Sequence, residues 1–237
     1  MGEVNGASAG ISAIAALDEP TRRRLYEFVV RQPAPVSRDQ AADAVQAPRN
    51  TVSFHLDKLV AEGLLEAVYQ RRTGRTGPGA GRPSKLYRRS PGQIAVSLPD
   101  RRYESAAHLL ADALQEAQDT GEPPRAVLDR RARELGRGLG RDARPATPAP
   151  DARTGVMQAL EALGFEPRAA GDTIALVNCP FHSLARQHTE LVCGMNLCLL
   201  TGLLEGLAAT GVTARLEPDP EHCCVRLHPA GPTPAAH

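Results

Sequence analysis

Residues 47–66 read APRNTVSFHLDKLVAEGLLE. Pro48 suits the first position of a helix, because its missing N–H is not needed there. Val52, Leu56, Leu59 and Val60 recur three and four apart as one apolar stripe, which leaves Arg49, Asn50, Ser53, His55 and Lys58 outward or on the flanks. Gly63 ends the helix. A helix that enters the DNA major groove needs short polar or basic side chains at its N-terminal end. Arg49, Asn50, Thr51 and Ser53 meet that need. Arginine pairs with guanine O6 and N7, and asparagine with adenine N6 and N7, so reading of base edges is chemically reasonable. His55 and Lys58 lie further along and suit phosphates.

Working upstream, Ser37 with Gln40 three residues later forms a capping box for a preceding helix that ends near Val45. An earlier helix runs from about Ile14 or Asp18 to Arg31, where Pro33 and Pro35 stop it. Residues 1–12 are small and without period, and are expected to form a disordered arm. Working downstream, Leu64 to Tyr69 reads as a strand, Arg71 to Ser84 as a Gly/Pro-rich loop and Lys85 to Arg89 as the returning strand. The stretch from Arg71 to Arg89 holds Arg71, Arg72, Arg75, Arg82, Lys85, Arg88 and Arg89 and no acidic residue. Such a basic, glycine-rich hairpin fits a wing that follows a phosphate backbone, with steeply salt-dependent binding. Residues 13–90 are therefore expected to form a winged helix-turn-helix.

The charge balance agrees. Residues 1–90 carry 14 basic against 9 acidic side chains and the remainder 14 against 18, within a chain whose net charge is only +1. A polyanion-binding half joined to a half with another task is the natural reading. At 237 residues the chain has room for two modest cores, and 3% aromatic residues with no Trp leave those cores to Leu, Val and Ala. No run reaches the roughly 18 consecutive apolar residues of a membrane span, and the first residues lack the basic start of a signal peptide. A cytoplasmic location and no membrane partner are expected.

Beyond residue 90 the pattern changes. From Tyr103 to Gln118, Tyr103, Ala106, Ala107, Leu110, Ala113 and Leu114 recur at helical spacing, as in a helix that packs on a partner helix. A further helix is expected over Pro124 to Gly140, weakened at its end by Gly136, Gly138 and Gly140. Residues 91–141 are read as a helical dimerisation and linker region, and 142–150 as a Pro/Ala linker. Residues 151–230 are read as a small α+β sensor domain. It contains a helix (Arg153 to Leu163), a hairpin turning at Gly171-Asp172, two helices within Pro180 to Ala209, and strands at Val212 to Leu216 and Cys224 to Leu227. Residues 231–237 are expected to form a disordered tail. The fold class is helix-rich α+β: an N-terminal winged helix-turn-helix, a central dimerisation helix, and a C-terminal domain with a short antiparallel sheet.

All five cysteines lie between Cys179 and Cys224. In a reducing compartment such clustering favours a metal or redox site over disulfides. Thirteen residues separate Cys179 from Cys193 and twenty-nine separate Cys193 from Cys223, which is not zinc-finger spacing. Cys179 follows a strand and precedes a helix beginning at Pro180, whose N-terminus favours a thiolate. Cys193 and Cys198 stand about 140° apart on one helix, so they do not share one small site, and Cys198 reads as core. The alternation Cys223, Val225, Leu227 puts Cys223 on the apolar face, with Cys224 as the alternative ligand. His182, three positions after Cys179, is a candidate fourth ligand, as are His188 and His222, although His182 and His188 equally suit local hydrogen bonds.

The run 47–66 resembles the recognition helix and first wing strand of ArsR-like regulators, and GAGRPSKLYR at 79–88 is similar to the wing of SufR-type iron–sulfur repressors. NCPFHSLARQHTELVC at 178–193 with HCCV at 222–225 resembles the C-terminal domain of the same repressors, with a first interval one residue longer and adjacent late cysteines. The resemblance implies a homodimer on a palindromic operator in double-stranded DNA. It also implies an iron–sulfur cluster on Cys179, Cys193 and Cys223 or Cys224. A structural zinc site or a pocket for a small hydrophobic or thiol-reactive effector are the other readings of the cysteines. An enzyme is not expected: Cys179 near His182 suggests a nucleophile pair, but there is no Cys-x-x-Cys, nucleophile elbow, phosphate loop or diagnostic carboxylate pair.

Overall fold

Two helices, α1 (Glu3–Ala16) and α2 (Pro20–Val30), stand where one was expected before residue 31. Glu19 makes the break. Its carboxylate accepts from the backbone N–H of Thr21 at 3.0 Å and of Arg22 at 2.6 Å, and Pro20 opens the new helix. These bonds hold the Glu19 carboxyl below its usual range against the opposing effect of desolvation. Helix α1 also corrects the expected arm over residues 1–12, since it starts at Glu3. Ala13 and Ala16, three apart, are buried in the N-terminal core and anchor it. Alanines and glycines give such a helix little apolar contrast, so its period was faint.

The computed structural model describes residues 3–70, 83–144, 151–219 and 222–230. Backbone packing divides the chain into a unit over residues 1–96 and another over 97–237.

In the first unit, β1 (Val36–Ser37) leads into α3 (Arg38–Val45), with both halves of the Ser37–Gln40 capping box formed. Gln46 takes a left-handed conformation at φ 52°, and α4 (Arg49–Ala61) follows with Pro48 as its N-cap. Gly63, at φ 72°, turns the chain into β2 (Leu65–Gln70), which pairs antiparallel with β3 (Ser84–Arg89) from Leu65↔Arg89 to Gln70↔Ser84. Strand β1 adds to the other side of β3, giving the order β1-β3-β2. Leu25, Val52, Leu56, Leu59 and Leu65 are fully buried beneath these elements. Each such side chain contributes about 1.5–3 kcal/mol.

In the second unit, α5 (Tyr103–Thr120) and α6 (Pro124–Asp142) form one layer. The next holds α7 (Ala152–Ala162), the short α8 (His182–Gln187) and α9 (Thr189–Leu207). The third layer is an antiparallel sheet in the order β4-β5-β7-β6, from β4 (Pro167–Ala170), β5 (Thr173–Leu176), β6 (Val212–Leu216) and β7 (Val225–Pro229). Helix α9 lies in the middle. Leu200, Leu203 and Leu204 face the sheet and α7, whereas Val192, Met195 and Leu199 face α5 and α6. By length and mean composition its 19 residues suffice to cross a membrane, although Glu190, Asn196 and Glu205 interrupt the apolar run, and most of the segment is buried as the core helix of this unit.

Three expectations change here. Helices α5 and α6 are not a linker between domains, because they share a core with α8 and α9. The buried face of α5 is Ala106, Leu109, Ala113 and Ala117, while Ala107 and Leu114 are exposed. The glycines of α6 are a packing seam. A Cβ on Gly136 would stand 2.0 Å from the Leu199 carbonyl oxygen, and one on Gly202 would stand 2.0 Å from that of Arg133. Gly140 and Gly206 repeat the relation one turn on, so α6 and α9 run in the same direction with their backbones almost touching. The cost of glycine within a helix, roughly 0.5–1 kcal/mol, is set against that close approach.

Candidate nucleic-acid interface and cysteine cleft

On α4, Arg49, Asn50 and Thr51 are exposed, and Ser53 is half-buried beside them. The α3–α4 turn, fixed by the capping box at one end and the left-handed Gln46 at the other, presents this N-terminal end to solvent. Phe54 is the exposed residue that the sequence reading left out, at 66% of its surface, with its ring edge-on to His55. An apolar side chain lying off the Val52–Leu56–Leu59 stripe was the available signal.

Acids accompany the basic residues, and apart from the i,i+4 pair Lys58–Glu62 they come from elsewhere in the chain. Asp39 Oδ1 lies 3.2 Å from Arg49 Nε, and Glu62 pairs with Lys58 at 2.5 Å. Asp57 Oδ1 accepts from Lys85 Nζ at 2.5 Å and from the Tyr87 hydroxyl at 3.1 Å. Lys85 is held above its usual range by that hydrogen bond. Arg88 pairs with Glu66 across the β2–β3 hairpin. So Lys85 and Arg88, drawn from a stretch without acids, sit beside acids of α4 and β2. His55 departs from its expected place. Its side chain is only 12% exposed and its Nδ1 is 3.6 Å from Glu19 Oε2, toward the start of α2 rather than toward a phosphate. Arg71, Arg72, Arg75 and Arg82 lie outside the described residues.

The second candidate site is a cleft of about 320 Å³ in the C-terminal unit. Cys179, Cys193, Cys223 and Cys224 line it together with His182 and His222. Cys179 comes from the loop after β5, Cys193 from the first turns of α9, and the adjacent pair from the approach to β7. Cys198 is absent from the lining, and burial pushes its thiol up. It is half-buried against α6 rather than fully in the core. His188 ends α8 exposed and does not line the cleft. Cys223 is buried with Val225 and Leu227, as the alternation required.

The thiols differ in acidity. Cys179 is held below the usual thiol range, first by a hydrogen bond from Cys223 and then by the Phe181 backbone N–H and the Arg101 charge. Cys223 is pushed up by the same bond and by burial. Burial, with the neighbouring Cys224, pushes Cys193 up to about 12. The acidity of Cys179 does not come from a helix beginning at Pro180, because α8 starts only at His182. Arg101 also donates to the Cys179 carbonyl at 2.9 Å and to the Asn178 side chain, which fastens the loop carrying Cys179. Asn196, midway along α9, donates from Nδ2 to Cys223 Sγ at 3.3 Å. Neither Arg101 nor Asn196 was a candidate in the sequence.

The geometry of the first unit, two helices joined by a tight turn with an exposed polar N-terminus on the second, has a counterpart among known families. Residues 17–68 match the helix-turn-helix domain. The match spans α2, α3, α4 and most of β2, and supports a DNA-binding transcriptional regulator. It ends well before the cysteine cleft. No curated protein and no solved structure matches the chain.

Proposed function

We propose that the chain is a transcriptional repressor of the cytoplasm that binds a palindromic operator as a homodimer, and that an iron–sulfur cluster on its C-terminal cysteines controls its affinity for DNA. The observation that carries the regulatory half is the convergence of four cysteines from three separate segments on one cleft, in a chain whose other unit matches a helix-turn-helix domain. Arg49, Asn50, Thr51 and Ser53 are the base-reading residues of this account. Lys58 and the arginines of residues 71–82 supply the phosphate contacts, Lys85 is held back from them by Asp57, and the β2–β3 hairpin serves as the wing. Four cysteines with His182 beside them form a sulfur-rich donor set. Cysteine thiolates hold the irons of a cluster, and on that chemistry Cys179, Cys193, Cys223 and Cys224 are read as cluster ligands, with His182 as the spare donor and zinc as the alternative occupant. Bound there, the cluster would supply a redox- and oxygen-sensitive group. Dimerisation rests on the outer stripe of α5, where Tyr103, Ala107 and Leu114 are exposed and Leu110 half-buried at coiled-coil spacing. No catalytic role is assigned.

The test is a pair of variants. If Cys179→Ser and Cys193→Ser leave unchanged both the visible absorption of anaerobically purified protein and its binding to its own upstream DNA, the sensor reading fails.

A further inference from the structure

Two buried polar side chains stand out among the described residues, Asn178 at 7% exposure and Asn196 at 2%, and their situations differ. Asn178 is saturated. It accepts from Arg101 and donates to the carbonyls of Asp100 at 3.2 Å and Gly164 at 2.7 Å. Asn196 sits on an otherwise apolar stretch of α9 beside fully buried Met195, with one directed bond, from Nδ2 to Cys223 Sγ, while its Oδ1 is buried without a hydrogen-bond partner. An unpaired buried carbonyl oxygen destabilises the fold, and a leucine, with the same branched shape, would not carry it. An amide at this position is therefore unfavourable as packing and useful as a donor.

We infer that Asn196 is a positioning residue for the cysteine site: its N–H···S bond orients Cys223 and withdraws electron density from that sulfur. The inference rests on the reading of Cys223 as a ligand and deepens it. Partners of this kind orient ligands, and their loss typically costs 10–100-fold in metal affinity. Hydrogen bonds to the sulfurs also set the potential of a cluster.

Asn196→Leu removes the donor while keeping the branched shape and the number of heavy atoms, and Asn196→Gln retains an amide donor one methylene further out. Three measurements on the full chain decide: the melting temperature of the metal-free protein, its zinc affinity by competition with a chromophoric chelator, and the midpoint potential after anaerobic loading with iron and sulfide. Asn196→Leu is expected to melt no lower than the wild type, to bind zinc about tenfold more weakly, and to shift the potential to more negative values. Asn196→Gln is expected to restore both site properties toward wild type. A lower melting temperature for Asn196→Leu with unchanged zinc affinity makes Asn196 a packing residue and overturns the inference. Zinc serves here only as a probe of the thiolates. If the wild type takes up zinc but no iron and sulfide, the cluster reading fails while the zinc comparison still decides the role of Asn196. If it takes up neither, both fail.

Discussion

Lys85 Nζ lies 2.5 Å from Asp57 Oδ1, which joins the returning strand of the hairpin to the third turn of the helix that carries Arg49 and Asn50. The pair has two consequences. It fixes β3 on α4, and it occupies a cation that a phosphate would otherwise take. Asp57→Asn is expected to release Lys85, tighten binding to DNA of unrelated sequence, and steepen the dependence of log K on log salt by about one unit. Binding isotherms at several salt concentrations check this, and an unchanged slope would place Lys85 off the phosphate path.

Base reading is predicted to reside at the start of α4. Asn50→Ala and Arg49→Ala are each expected to cost about 1–3 kcal/mol on the preferred site and to relax preference at one base position. Phe54→Ala is expected to weaken binding only where the site carries a thymine whose methyl group it touches, so replacing that thymine by uracil abolishes the difference. Selection of binding sites from random DNA with each variant provides the measurement. A uniform loss over all sequences would reassign these residues to backbone contacts.

Gly202→Ala places a methyl group 2.0 Å from the Arg133 carbonyl oxygen, and Gly136→Ala does the same at Leu199. Overpacking of this kind destabilises by about 1–3 kcal/mol, and more where the obstacle is backbone. The C-terminal unit of either variant is expected to melt lower, while Gly138→Ala, with open space around it, is expected to be neutral or slightly stabilising. Calorimetry of the three variants distinguishes a seam from three ordinary helical glycines.

In the metal-free chain Cys179 is expected to be the first thiol alkylated. Its pKa is lowered by the hydrogen bond from Cys223, so its thiolate forms more readily than that of an ordinary cysteine. Cys193, raised to about 12, stays protonated across the same range. Its labelling should therefore begin only at alkaline pH. Cys223→Ala removes the donor and is expected to move the labelling midpoint of Cys179 upward. Peptide mapping after timed alkylation at a series of pH values reads both shifts.

Much of the N-terminal unit was legible because its signals are local. The Ser37–Gln40 box, Pro48 and Gly63 each act within one helical turn, and the boundaries of α3, α4, β2 and β3 fall within a residue or two of those read from them. What escaped was non-local or weakly patterned. Helix α1 is built of small residues, and β1 is two residues long. The acids facing Lys85 and Arg88 come from 28 and 22 positions away in the chain. Gly136 and Gly140 are unfavourable in an isolated helix and useful only against Gly202 and Gly206, which no single-segment pattern reveals. In the cysteine domain the periodicity located the strands and helices, and the strand alternation placed Cys223. Asn196 went unnoticed because one polar residue in an apolar helix has no meaning until the sulfur opposite it is known.

The central claim is that the cysteine cleft controls the DNA-binding end. It is tested most directly by titrating one labelled fragment of the chain's own upstream DNA with anaerobically purified protein. The titration is run before and after oxidant removes the cluster, with iron and sulfide measured in both samples. The account predicts a protein containing iron and sulfide whose affinity changes by at least about fivefold on cluster loss, the lower end of ordinary coupling between sites. It also predicts that Cys179→Ser holds that affinity at the cluster-free value in both conditions. Equal affinity in the two samples, with the cluster shown to be present in one and absent from the other, would contradict it.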